Sequence, residues 1–198
     1  MPERIFVIIA HKASIIPDFT LNDLPGSGGR MDILARFVTS SFCLSHGIRK
    51  YVNVYLVLQN QLIVRFEGEF VKRLNPDERS TGALIKKAIG KWDQNFRIDD
   101  QAEYRSTPGV NIKKGSLADL LDEFRTAEIN VAMLDEEGVD LRESKISEPI
   151  AFILSDHQEF SADELESLSN YQKLSLGPEV LHADQCVTLV HNELDRSK

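Results

Sequence analysis

The side chains able to do chemistry fall into a few groups. Histidines at 11, 46, 157, 182 and 191 and cysteines at 43 and 186 are the soft metal ligands. None shows CxxC, HxxxH or HExxH spacing, so no protein-bound metal is expected. There is no Walker-type phosphate loop and no GxGxxG after a strand. Gly26-Ser27-Gly28-Gly29 follows no strand directly, so a flexible loop is favoured over a phosphate cradle. Arg30, Asp32 and Arg36 stand together at the head of a helical pattern. Asp32 and Arg36 are four apart, in the favourable order for an ion pair. That trio reads either as a surface salt bridge or as an arginine pair aimed at phosphate beside a carboxylate base. Lys72 and Arg73, then Lys86, Lys87 and Lys91, form a second cationic group, with Lys87 and Lys91 on one helix face. Such lysines solvate a surface or, gathered locally, contact a nucleic-acid backbone.

Two turns complete the inventory. Gly177 follows the strand pattern YQKLSL and could let backbone approach a ligand. Pro178 fits a first helical position, where its missing N–H costs nothing. Ser155-Asp156-His157 is either a catalytic cluster or a turn whose Asp bonds its own backbone.

The positioning elements follow from periodicity. Residues 4–10 (RIFVIIA) predict a strand buried on both faces. Residues 17–30 predict a loop, and 31–45 a helix ended by Gly47. Strands are expected at 51–58 and 62–69, joined by a short turn. Ser80 is expected to cap a helix over 81–92. Residues 93–116 are the least regular stretch, expected to link two lobes or carry a functional loop. Ser116 caps a helix to about Arg125. Strands at 129–135, 149–155 and 171–176 alternate with a helix at 161–170, which opens on a Ser161/Glu164 capping box. A last helix covers 183–196. This alternation predicts an α/β fold with a mostly parallel sheet. Ligands in such sheets sit beyond strand C-termini, which singles out Leu134-Asp135, 154–157 and 174–177.

Composition bounds the rest. The 198 residues carry a net charge of −8, with 42% apolar and 27% charged residues. The acidic balance argues against a general nucleic-acid coat protein but leaves a local basic patch open. No apolar run is long enough for a membrane helix, and the N-terminus reads as a strand rather than a signal peptide. Two cysteines make no disulfide framework, and a reducing cytoplasm is the simplest setting.

The strings GGRMDILARF, LNPDERSTGALIKKAIG, FILSDHQEF and LSLGPEVLHADQCVTLVHNELDR occur in this order along nearly the whole chain. Together they resemble the archaeal tRNA (pseudouridine-54 N1)-methyltransferases of the SPOUT superfamily. The resemblance implies one parallel-sheet α/β domain over 1–198, with a deep C-terminal trefoil knot. It implies S-adenosylmethionine as cofactor, held bent in the knot. Mapped here, its contacts are Leu134, Leu154, Ser155, Asp156, Leu174, Ser175, Leu176, Gly177, Pro178, Leu181 and Cys186. Ser155 stands where many relatives have glycine, though its backbone N–H is still available. A homodimer with the active site at the subunit interface is also implied.

The reaction would be methylation of N1 of pseudouridine 54 in the tRNA T-loop. Asp32, or second to it Asp156, would accept or orient the N1 proton, and Arg30 and Arg36 would hold phosphate or the developing anion. Lys72, Arg73, Lys86, Lys87 and Lys91 would clamp the tRNA. Cys186 would be a cofactor-wall residue, since N1 methylation needs no covalent adduct. The alternatives are a pseudouridine in small-subunit ribosomal RNA and a knotted RNA-binding assembly factor without catalysis.

Overall fold

Strand β1 (Arg4–Ala10) is buried at every residue; Arg4 is buried against Glu148 and Asp195, and the strand's apolar run 5–10 suits a covered sheet. Its side chains alternate between two layers. Phe6, Ile8 and Ala10 enter one core cluster; Ile5, Val7 and Ile9 enter another. The computed structural model describes residues 2–95 and 102–197. Along the chain follow α1 (Met31–Phe42), β2 (Cys43–Leu44), β3 (Gly47–Ile48), β4 (Val52–Leu58), β5 (Leu62–Glu67) and α2 (Glu78–Asn95). Next come β6 (Tyr104–Thr107), β7 (Val110–Lys114), α3 (Leu117–Thr126) and β8 (Asn130–Asp140). The chain finishes with β9 (Ile150–Ser155), α4 (Ala162–Leu168), β10 (Gln172–Ser175) and α5 (Ala183–Arg196).

One eight-stranded sheet has the order β10-β8-β9-β1-β4-β5-β7-β6. The strands from β10 to β4 pair in parallel, and those from β4 to β6 antiparallel. The expected parallel sheet thus forms the half that ends in β10, and hairpins extend the other half. Gln59 and Asn60 both take positive φ between β4 and β5, at the two central positions of the turn that the Gln61 N–H closes on the Leu58 carbonyl. Residues of α1, α2 and α5 fill the first core cluster, and residues of α3 and α4 the second. Among the described residues, no helix is long and apolar enough to cross a membrane.

Four local expectations are corrected. Helix α1 stops at Phe42, and Cys43–Leu44 pairs with Gly47–Ile48, so Gly47 belongs to a small hairpin and is not a helix cap. Helix α2 begins at Glu78 because the Asp77 carboxylate accepts from the Ser80 N–H and hydroxyl. That makes Asp77 the capping side chain where Ser80 was expected. The stretch 93–116 holds the β6–β7 hairpin and the end of α2; its residues 96–101 lie outside the described residues. Pro178 sits in an exposed bend five residues before α5, not at a helix start.

Candidate active site

Strand β8 leaves its neighbours just where the sheet meets its C-terminal edge. It pairs with β9 as far as Met133. Against β10 the register jumps, with Lys173 opposite Met133 and Leu174 opposite Val139. Residues 134–138 therefore arc out of the ladder. Gly138 permits this, since a Cβ there would stand 2.6 Å from the Leu174 carbonyl carbon. Beneath the arc opens a cavity of about 530 Å³.

The residues expected around the cofactor meet at this cavity. Leu134 lines it from the arc; Leu154, Ser155 and Asp156 from the end of β9; and Leu174, Leu176 and Gly177 from β10 and its turn. Leu181 and Cys186 close it from the approach to α5 and from its first turn. Gly177 has φ 135°, which side chains rarely adopt, and a Cβ there would meet no atom within 4 Å. Ser175 does not line the cavity. Its hydroxyl accepts from the Gly177 N–H at 3.1 Å and donates to the Gly177 carbonyl at 3.0 Å, fixing the turn. Pro178 is also absent from the lining.

Sequence reasoning missed several wall residues. Glu136 and Glu137 come from the arc, Glu159 and Phe160 from the turn after β9, and Glu179 from the turn after β10; Asp135, singled out beforehand as a strand end, stands with them. Glu136 and Glu137 were legible only as acidic; their placement depends on the register jump. Asp135 bonds Lys173 at 2.9 Å. Burial pushes the Asp135 carboxyl up, but Lys173 and the Glu137 N–H outweigh it and hold the group below the usual range. The Cys186 thiol is raised by burial, and by Asp184, to about 11. It stays protonated near neutrality, which suits a wall residue and not a nucleophile.

Asp156 is committed to the fold. Its carboxylate accepts from the Gln158 N–H at 2.9 Å and the His11 N–H at 3.0 Å, and faces the His11 ring Nδ1 at 3.0 Å. The Asp-turn reading of Ser155-Asp156-His157 is therefore correct. His11, which follows β1 directly, was not singled out from sequence; a titratable residue at a strand C-terminus was the available signal.

Asp32, Arg30 and Arg36 come together as their spacing indicated. Arg30 grips Asp32 with two bonds, at 3.0 and 3.1 Å, and Arg36 adds one at 3.2 Å. The carboxylate is buried beneath the two half-exposed arginines. Burial pushes its pKa up, but the Arg30 and Arg36 guanidiniums prevail and hold it low. Arg36 reaches further, to Glu78 of α2 at 3.0 Å and to Asp184 of α5 at 3.8 Å. Asp184 stands between Ala183 and Gln185, one residue from the cavity wall. The arginine cluster thus adjoins the cavity. Arg30 itself has φ 69°, a conformation costing roughly 1–2 kcal/mol in a non-glycine residue.

The second cationic group is split. Lys72, Arg73 and Lys87 are exposed and Lys91 is half-buried. Lys86 is turned inward; its ammonium donates to the Phe19 carbonyl and lies 5.2 Å from the Phe19 ring centroid. It ties α2 to the 17–30 loop. Among the described residues no His/Cys/Asp/Glu group could hold a metal ion.

Comparison with known proteins places this architecture. The model of the family described as "Putative SAM-dependent RNA methyltransferase" matches residues 3–198. A tRNA (pseudouridine(54)-N(1))-methyltransferase of Methanococcoides burtonii is 47% identical, covering 98% of this chain and 96% of that protein. Enzymes of the same name from Methanocorpusculum labreanum and Haloferax volcanii are 45% and 42% identical, covering 96% and 97% of this chain and 96% of each relative. The crystal structure of Archaeoglobus fulgidus Nep1 bound to S-adenosylhomocysteine superposes with a TM-score of 0.66 at 16% identity, covering 98% of each chain. That likeness shows a shared fold. With the model spanning nearly every residue and relatives so similar over their full length, the chain belongs to this family of S-adenosylmethionine-dependent RNA methyltransferases.

Proposed function

We propose that the chain methylates N1 of pseudouridine at position 54 of tRNA, with S-adenosylmethionine held in the cavity under the 134–138 arc. The observation that carries this reading is the contact between Arg36 and Asp184, which sets the Asp32–arginine cluster beside that cavity. The lining fits the cofactor. Leu134, Leu154, Leu176 and Phe160 offer apolar walls to an adenine, and the carboxylates of Asp135, Glu136, Glu137, Glu159 and Glu179 complement a cation and can accept from ribose hydroxyls. Ser155 stands in the wall itself, whereas Ser175 and Pro178 act through the turn after β10. When bound, the cofactor supplies an electrophilic methyl group.

The chain's own residues then have two tasks, to orient the target base and to ease loss of its N1 proton. Arg30 and Arg36 are the groups that face outward, so they hold the neighbouring phosphate and favour the N1 anion. Asp32 aims them and offers an ionised acceptor toward the N1 proton. Asp156 is the second choice as acceptor: each carboxylate already holds three hydrogen bonds, but those of Asp156 go to His11 and Gln158 and those of Asp32 to the outward-facing arginines. Lys72, Arg73, Lys87 and Lys91 follow the tRNA backbone, while Lys86 contributes by fastening the loop. Because position 54 lies in a folded loop, the base must be unstacked to be reached.

The remaining features belong to the same reading. The chain acts as one domain, with β10, its turn and α5 forming a trefoil knot. Two copies complete the active site between them; the exposed Leu165 and Val180 at the cavity give that contact an apolar rim. A cytoplasmic setting agrees with an RNA substrate and with two free thiols. The test is methyl transfer from labelled cofactor to tRNA and to small-subunit ribosomal RNA in parallel. Label in tRNA alone is expected. Label in ribosomal RNA alone would overturn the substrate.

A further inference from the structure

His11 belongs neither to the cavity lining nor to the arginine cluster, yet it is bonded to the elements that wall the cavity. Its ring nitrogens face two different carboxylates, Nδ1 to Asp156 Oδ1 and Nε2 to Glu164 Oε2, each at 3.0 Å. Both carboxylates are buried, with side chains 3% and 8% exposed. A neutral imidazole has one N–H and can serve only one of them; an imidazolium serves both. The geometry is therefore that of a cation held between two anions. Each anion belongs to a different piece of cavity wall. Asp156 lines the cavity and starts the turn that carries Gln158, Glu159 and Phe160. Glu164 also accepts from the Ser161 N–H at 2.8 Å, closing the capping box of α4, whose Leu165 lines the cavity.

We infer that protonated His11 is a positioning residue for the cofactor, locking the β9 turn and helix α4 into one wall of its cavity. The inference rests on the reading that the cavity holds the cofactor. Burial alone would lower the imidazolium's pKa; the bonds to Asp156 and Glu164, and their charges, outweigh it and raise it above the ordinary value. The lock is thus complete below about pH 6.5 and is lost as pH rises through the raised pKa. The groups that face His11 are Asp156 and Glu164. Behind Asp156 stand His157, at 3.4 Å from its carboxylate, and Arg30 of the catalytic cluster.

The experiment is calorimetric binding of S-adenosylhomocysteine to the full-length protein from pH 5.5 to 9, for wild type, His11→Asn, Glu164→Gln, His157→Asn and Gly177→Val. Wild-type affinity is expected to hold at low pH and to fall about tenfold above the break, the worth of one charge-assisted bond. His11→Asn should bind about tenfold more weakly throughout, with no break. Glu164→Gln, which removes one anion, should move the break to lower pH. His157→Asn should leave the break in place. A break that persists in His11→Asn, or stays put in Glu164→Gln, would overturn the inference. Gly177→Val reports separately on the cavity. If it abolishes binding while His11→Asn matches wild type, only the role of His11 fails. If it binds like wild type, the cofactor's placement fails instead.

Discussion

At the residue scale, Asp32 and His191 show how burial sets a side chain's role. Asp32 is held ionised beneath two arginines, so its loss should disturb their aim more than cofactor binding. Asp32→Asn is expected to lower kcat by roughly 10- to 100-fold, with S-adenosylhomocysteine affinity within about twofold of wild type; steady-state kinetics and calorimetry check this. His191 is the opposite case. Its Nδ1 faces the Arg4 guanidinium at 3.2 Å, so it must accept there, and Nε2 donates to the Ser41 carbonyl at 3.0 Å. Burial, aided by the charge of Arg49, lowers its pKa to about 3. A neutral histidine in the fold and a titrating one in the unfolded chain give stability that is present above pH 6.5. That stability is lost as pH falls toward 3, at about 1.4 kcal/mol per pH unit. Urea unfolding between pH 6.5 and 4.5 should show this slope, and His191→Gln should flatten it. The Asp32–Arg36 pair was legible from its i, i+4 spacing. His191 and His11 were not, because their partners lie 150 and 153 residues away.

At the element scale, the glycine-rich loop 26–29 has a structural reason. Gly29 has φ 63°, and a Cβ there would lie 1.9 Å from the Lys12 carbonyl oxygen. The loop is pressed onto the chain just after β1, which places Arg30 and Asp32 beside the strand ends. Gly29→Ala is expected to destabilise the fold by roughly 1–3 kcal/mol and to lower turnover; urea unfolding and an activity assay together check both. The parallel strands, the Ser116 cap and the Ser161/Glu164 capping box were legible in sequence because apolar runs and cap spacing are local signals. The 134–138 arc was not, since it depends on which residue of β10 meets β8. Nor was the β6–β7 hairpin, whose strands are short and half-polar and gain their apolar cover from α2.

At the scale of the whole molecule, a chain of net charge −8 must meet RNA through a local patch. Lys72, Arg73 and Lys87 are the exposed members of the candidate group. Each reversal to Glu should weaken tRNA binding and reduce its salt dependence by about one ion per residue. Lys86→Ala should instead cost stability, because its ammonium is bound to the Phe19 carbonyl. Binding isotherms over a salt series separate the two behaviours. N1 methylation of pseudouridine 54 is tested by methyl transfer to two otherwise identical tRNAs, one carrying pseudouridine at position 54 and one carrying uridine. One methyl group is expected on the first, located at N1 of residue 54, and none on the second. Equal methylation of both, or of neither by protein that binds the cofactor, would contradict it.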